Sequence, residues 1–327
     1  MVWLQFAFSA VVIVFAAIKL AEYGDVIAVR TKLSGMFIGT LLLAGATSLP
    51  ELLSSLNALA VDAPDLAAGG MFGSSMFNML TLAILDLLNQ NARILRRVAM
   101  NHAMTASLAN LMTGLVVFFI LADLPAKLGW VGMDSLIIIV AYGVGIRIIQ
   151  GNAAPPPPIP EEKNDEIPSL RRALLGFAGA TAMLFVITPL LVRSADQIGT
   201  LTGLSAGFIG ATLLAIVTSL PELVTTVAAV RFGAYDLAVG NLFGSNIFNM
   251  FALGLTDLFY FDGHFISEIN PTFALAGLLA LLLTGLALIG NLARIERRLK
   301  YVEIDALVIF IGYLAGMFFL YIRGIGV

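Results

Sequence analysis

The sequence predicts an all-α integral membrane protein of ten transmembrane helices arranged as two inverted five-helix repeats. Three observations lead there. Apolar stretches of membrane-spanning length recur along the whole chain, one long polar segment interrupts them near the middle, and a block of the first half returns in the second.

Composition sets the solvent. Of 327 residues, 59% are hydrophobic and only 12% are charged, with a mean hydropathy of +0.97. Soluble domains carry about a quarter charged residues, and repeated runs of about 18 or more apolar residues are read as membrane spans. A net charge of −3 with 18 basic residues argues against a nucleic-acid partner. The absence of cysteine excludes disulfides, thiolate zinc sites and iron–sulfur clusters. The two histidines, His102 and His264, fall in or near polar segments and read as ordinary interfacial residues, so an imidazole-rich metal site is not expected.

The first span, 3–22, opens MVWLQFAF without a basic leader, and its apolar run extends to Ala21. It reads as a retained helix rather than a cleaved signal. Nine further spans are placed at 34–60, 65–88, 101–121, 130–150, 172–193, 204–230, 235–258, 269–290 and 304–323. The chain thus divides into a first half, 1–150, a Pro-rich linker, 151–171, and a second half, 172–327. The linker runs GNAAPPPPIPEEKNDEIPSLR, a polyproline II start followed by solvated charge.

Lys and Arg positions orient the chain, because cytoplasmic loops collect them. With the N-terminus outside, fifteen basic residues fall on the inner side, among them Arg30, Lys32, Arg93, Arg147, Arg231 and Arg294. Only Lys127, Arg193 and Arg323 remain outside. Both termini are expected outside and the linker in the cytoplasm.

Residues 37–80 align with 208–251 at a constant offset of 171 without a gap, and 24 of 44 positions are identical. TSLPEL, DLA, FGS and FNM stay in register. Five spans per half is an odd number, so the two copies enter the membrane from opposite faces. Inverted-topology repeats of this kind place a transport site near the bilayer midplane where the copies meet.

The matched residues are polar. In TSLPEL, Thr47–Leu52 and Thr218–Leu223, proline cannot donate to the carbonyl four residues earlier. Pro50 frees the carbonyl of Ala46, and Pro221 that of Val217. Such backbone is tolerated in a bilayer only where protein or a cavity surrounds it. Glu51 and Glu222 sit mid-span, where an ionisable side chain costs several kcal/mol and signals function. Neither has a basic residue close by in its own span, and the repeat is expected to bring both to one centre. Two carboxylates match the charge of one divalent cation, and protons can compete for the same oxygens.

The second motif is GSSMFN at 73–78 and GSNIFN at 244–249. Gly73 and Gly244 allow a neighbouring helix to approach closely. Ser74 with Asn78, and Ser245 with Asn249, lie four apart on one helix face, so each pair is expected to point at one ion. Ser75 and Asn246 divide between ligand and helix–helix glue. With oxygen donors only, the centre suits Ca²⁺ or Na⁺, less well Mg²⁺, and disfavours Zn²⁺ or Cu⁺. Asp86 and Asp257 are expected at the interface near span ends. Asp65 and Asp236 read as helix-start residues.

At these motifs the chain resembles the cation/Ca²⁺ exchanger superfamily, and specifically its prokaryotic Na⁺/Ca²⁺ exchanger-like members, over essentially its whole length. The resemblance implies cation contacts from Glu51, Glu222, Thr47, Ser48, Thr218, Ser219, Ser74 and Ser245. It also implies backbone carbonyl contacts at Ala44 and Ala215, with Asn78 and Asn249 completing the ring. The chain departs from the family pattern at Ala46 and Val217, where glycine is usual, at Ser75, where asparagine is usual, and at Asn249, which is aspartate in some members. The proton-coupled branch carries G-N-x-x-E-type motifs that this sequence lacks.

The resulting expectation is Ca²⁺/Na⁺ antiport by alternating access, with the first and sixth helices moving against the core. No cofactor is expected beyond the transported ions. The expected location is a cell (inner) membrane, and the oligomeric state stays open, a monomer included. Proton-coupled Ca²⁺ antiport is the runner-up, and a passive channel or ion sensor the rival from another class. Neither a nucleophile–base arrangement nor HExxH appears, so an enzyme is not expected.

Overall fold

A computed structural model describes residues 1–31, 44–89, 99–152, 168–261, 263–292, 298–299 and 302–325. Most of the predicted linker and the beginning of the second predicted span lie outside these. The described chain is helical apart from two short hairpins. In order, it forms α1 (Val2–Arg30), α2 (Leu49–Leu59), α3 (Pro64–Leu88), α4 (Ala99–Ala122), β1 (Lys127–Leu128), β2 (Val131–Gly132), α5 (Met133–Asn152) and α6 (Leu170–Thr202). Then come α7 (Ala206–Ile209), a π-helical segment (Gly210–Leu214), α8 (Ala215–Thr218), α9 (Leu220–Arg231), α10 (Tyr235–Asp257) and α11 (Phe265–Glu268). A 3₁₀ turn (Pro271–Phe273), α12 (Ala274–Leu292), β3 (Arg298–Leu299), β4 (Val302–Glu303), α13 (Ile304–Leu320) and a closing π turn complete the chain.

Seven of these helices are long and apolar enough to cross a membrane, and an eighth span is formed if the bent pair 206–218 and 220–231 counts as one. α10, with Asn241, Ser245, Asn246 and Asn249, is of spanning length at 23 residues but is not among the seven. α3 is the least apolar of them and also the most enclosed by the rest of the protein. α5 and α13 are only 22% buried. The outer helices must present apolar side chains to lipid, whereas central helices face protein and can carry serine and asparagine. α1 and α6 run along each other, with Leu4, Phe8 and Val11 on one and Leu174, Phe185 and Val186 on the other turned outward.

Two predicted spans are interrupted at the same place in the motif. Residues 44–47 are helical, Ser48 breaks the helix at φ −89° and ψ 7°, and α2 restarts at Leu49 with Pro50 in its first turn. Ser219, at φ −89° and ψ 1°, separates α8 from α9, and the axes bend by 44°. Proline belongs in the first turn of a helix, where no donor is needed. It therefore starts a new helix after the serine instead of kinking a continuous one.

Elements recur at a separation of 171 beyond the region where identity is legible. Lys127 pairs with Gly132 and Leu128 with Val131. Arg298 pairs with Glu303 and Leu299 with Val302 in the same register. Helix starts are tied crosswise as well. Asp65 at the start of α3 accepts the N–H of Asn270 ahead of α12 at 2.8 Å. His102 near the start of α4 lies 3.5 Å from Asp236 at the start of α10. The centre closes through small residues. A Cβ on Gly73 would lie 2.5 Å from both Cα and O of Ala211, and one on Gly210 2.5 Å from the carbonyl of Leu66. Here α3 and the π segment touch backbone to backbone, the close approach expected for Gly73.

Several expectations are corrected. α1 and α6 extend well past the predicted spans, to 29 and 33 residues. Asp86 and Asp257 are near helix ends, as predicted, and are enclosed by protein there, at 1% and 0% exposure. Asp257 accepts N–H groups from Gly132 and Phe265, each at 2.7 Å. His102 and His264 are likewise buried. At Asp257 the β1–β2 hairpin and the start of α11 close over the helix end, an event without periodicity in sequence.

Candidate functional site

The two serine breaks and the middles of α3 and α10 meet in the protein interior. Glu51 stands in the first turn of α2, Glu222 in that of α9. Thr47, Ser48, Glu51, Ser74, Asn78, Thr218, Ser219, Glu222, Ser245 and Asn249 are all buried, as are Ala44 and Ala215. Every side chain singled out for cation contact is therefore in the core of a bilayer-type fold. A helical register alone would not do this. The helix breaks turn each serine–glutamate pair inward, and the crossing of α3 with α10 brings their polar faces to the same depth.

The halves interlock through these groups. Ser48 Oγ, from the first break, donates to Glu222 Oε1 at 3.1 Å, and Ser219 Oγ, from the second, lies 3.2 Å from Glu51 Oε1. Each glutamate also receives the serine from its own half, Ser74 to Glu51 Oε1 at 3.3 Å and Ser245 to Glu222 Oε1 at 3.4 Å. Ser219 and Ser74 are 2.7 Å apart. Neither glutamate has an ion-pair partner among the described residues.

The asparagines also reach across the halves. Asn249 of the other half donates to Ser74 Oγ at 3.0 Å and to Ser75 Oγ at 3.4 Å. Asn78 donates across the interface to Asn246 Oδ1 at 2.9 Å, and Asn246 donates onward to the Ser75 carbonyl at 3.3 Å. Both amide nitrogens are thereby occupied. Both amide oxygens, Asn78 Oδ1 and Asn249 Oδ1, are buried without a partner, as are Glu51 Oε2 and Glu222 Oε2. Buried acceptors in a folded protein are nearly always satisfied. Four orphaned oxygens from two carboxylates and two amides form a set suited to a hard cation.

Thr47 and Thr218 direct their hydroxyls to backbone. Thr47 donates to the Ala44 carbonyl at 3.2 Å, and Thr218 to that of Leu214 at 3.1 Å. The carbonyls of Ala44 and Ala215 accept the N–H of Ser48 and Ser219 at 2.9 and 3.0 Å. Each carbonyl also accepts a threonine hydroxyl, Ala44 from Thr47 at 3.2 Å and Ala215 from Thr218 at 3.4 Å, so both of its lone-pair directions are engaged. The residue that sequence reading underrated is Asn246. Its signal was its asymmetry with Ser75, and its two hydrogen bonds identify it as the group that sets the orientation of the Asn78 amide.

The model of the sodium/calcium exchanger protein family matches residues 1–149 and again 172–322. The candidate antiporter CaxA of Alkalimonas amylolytica is 30% identical over 297 residues, covering 88% of this chain and 90% of that protein. The sodium/calcium exchanger MaX1 of Methanosarcina acetivorans is 56% identical over 61 residues, 18% of this chain and 17% of its own. Among solved structures, the H⁺/Ca²⁺ exchanger CAX superposes with a TM-score of 0.68 at 13% identity, covering 99% of this chain and 89% of that one. The twofold family match takes in both broken helices and both long polar helices, and the chain belongs to the sodium/calcium exchanger protein family.

Proposed function

We propose that the protein is a secondary active antiporter that exchanges Ca²⁺ for Na⁺ by alternating access, at a site built from Glu51, Glu222, Asn78 and Asn249 with the hydroxyls of Ser48, Ser74, Ser219 and Ser245. The observation that carries this reading is the set of four buried, partnerless oxygens around two carboxylates that have no counter-charge among the described residues. Removing charges from water costs several kcal/mol per ion unless a partner compensates. A divalent cation between the glutamates cancels their charge, and oxygens from amides and hydroxyls bring the coordination toward the six to eight that Ca²⁺ takes. Thr47, Thr218 and the carbonyls of Ala44 and Ala215 stand at the helix breaks as further ligands.

The architecture proposed for this chemistry is ten spans in two inverted halves, 1–150 and 172–327, joined by a cytoplasmic linker, with both termini outside. Equal spacing of the two hairpins and the reciprocal Ser48–Glu222 and Ser219–Glu51 contacts support it. Pairing of α1 with α6 along their lengths supports their movement as one unit against the core. The inner membrane is the proposed location. Sodium is favoured as the coupling ion because the sequence lacks the G-N-x-x-E motifs of the proton-coupled branch.

The test is ⁴⁵Ca²⁺ uptake into proteoliposomes under an outward Na⁺ gradient, beside an outward H⁺ gradient. Uptake driven by Na⁺, sensitive to membrane potential and lost in Glu222→Gln, is expected. Uptake driven only by H⁺ refutes the coupling ion, and the absence of gradient-dependent uptake from folded protein refutes Ca²⁺ antiport.

A further inference from the structure

A second group of metal-binding side chains lies away from the central glutamates. Asp134 is in the first turn of α5, Asp257 is the last residue of α10, and His264 immediately precedes α11. One ligand atom from each falls within 4.8 Å of the others, and all three residues are buried, at 0%, 0% and 3% exposure. The cluster sits at the end of α5 remote from the linker between the halves, whereas the serine breaks are at the crossing of α3 and α10.

We infer that Asp134, Asp257 and His264 form a second cation site, taking a divalent transition metal of the Zn²⁺ class. Two carboxylates and one imidazole are a mixed oxygen–nitrogen set, which suits such ions better than Ca²⁺. Asp134 Oδ2 is buried and has no partner, although Oδ1 receives the N–H of Ser135 at 2.6 Å and faces His264 Nε2 at 2.7 Å. Each oxygen of Asp257 accepts one backbone N–H, which fixes the carboxylate and leaves a lone pair on each. Ser267 Oγ lies 2.8 Å from His264 Nδ1. In the metal-free arrangement Nε2 hydrogen-bonds Asp134 Oδ1 at 2.7 Å; a metal takes the place of that proton, with the imidazole proton then on Nδ1 and directed to Ser267, the usual way an outer contact sets a histidine ligand. The backbone of the β1–β2 hairpin packs directly against these atoms. A Cβ at position 132 would strike both His264 Nε2 and Asp134 Oδ1, and that position is glycine. Bond lengths of about 2.0–2.2 Å to zinc put tetrahedral ligand atoms about 3.3–3.6 Å apart, so the 2.7 Å contact of Nε2 with Asp134 Oδ1 opens slightly on metal binding while the cluster stays within its 4.8 Å span. A metal here clips three separate elements together beside the β1–β2 hairpin.

The site is independent of the transport reading, and the experiment keeps them apart. Tag-free full-length protein carrying Glu51→Gln and Glu222→Gln, which disables the central carboxylates, is titrated calorimetrically with Zn²⁺. One equivalent per chain is expected, with a raised melting temperature, and both are expected to vanish on adding Asp134→Asn or His264→Gln. No zinc bound, or equal binding in those variants, overturns the inference. Should the added substitutions prevent folding, zinc K-edge absorption on the parent protein decides: one imidazole in the shell upholds the site, an all-oxygen shell overturns it. Only two histidines exist in the chain, and His102 lies near Asp236, outside this cluster.

Discussion

Replacing Asn246 by alanine tests whether an amide that touches no ion nevertheless sets ion affinity. Asn246 accepts from Asn78 Nδ2 at 2.9 Å and donates to the Ser75 carbonyl at 3.3 Å. The first bond holds the Asn78 amide with its nitrogen away from the orphaned oxygens. Without it, Asn78 can rotate its NH₂ group toward the cation, a repulsive arrangement. A net hydrogen bond is worth about 1 kcal/mol, and that difference corresponds to about a fivefold change in an equilibrium constant. Asn246→Ala is therefore predicted to raise the half-saturating Ca²⁺ concentration for ⁴⁵Ca²⁺ uptake about fivefold. The buried donor left on Asn78 is expected to lower thermal stability by about 1–3 kcal/mol, while the Ser75 carbonyl keeps its partner within the helix. Asn246→Asp keeps the acceptor for Asn78 and is expected to preserve its orientation, separating this effect from loss of packing. The decisive comparison is with Asn78→Ala, predicted to weaken Ca²⁺ more than Asn246→Ala. An unchanged half-saturation in Asn246→Ala, with Asn78→Ala defective, would refute the orienting role.

Three further outcomes follow from the same geometry. Glu51→Gln is predicted to keep the fold, because a carboxamide oxygen can still accept from Ser74, yet to lose Ca²⁺ uptake at least 100-fold; near-normal uptake in proteoliposomes would remove Glu51 from the site. Gly73→Ala is predicted to destabilise strongly, since its Cβ would lie 2.5 Å from Ala211 backbone, whereas Gly143→Ala, with open space around it, should leave the melting temperature within the range of ordinary surface changes. Ca²⁺ at a hundredfold over its dissociation constant is predicted to stabilise the detergent-solubilised protein by about 2.7 kcal/mol, and Glu222→Gln to abolish that gain; a Ca²⁺ response unchanged in the variant would place the ion elsewhere.

Much of the site could be read before folding because polar residues in apolar spans are expensive and conspicuous. Glu51 and Glu222 stand out for that reason, and the offset of 171 joins them to Ser74, Asn78, Ser245 and Asn249. Proline marks the broken helices. What sequence reading missed was crosswise. It paired Ser74 with Asn78 by helical spacing, while the structure adds Asn249 of the opposite half, because the face a helix shows is only half of a contact. It assigns Asp257 and His264 no partners, while in the structure both are buried and the Phe265 N–H closes onto Asp257.

The sequence by itself determined the membrane character, the duplication, the positions of the helix breaks and the oxygen-only chemistry of the centre. Those properties are local: hydropathy, proline geometry and residue identity at fixed spacing act within one helix. Tertiary structure alone decided which oxygens lack partners, that Asn246 governs the Asn78 amide, and that two aspartates meet a histidine at the end of α10. Those depend on where separate helices cross and where loops close over them. Side-chain partners more than 100 residues apart carry no period that a single sequence displays.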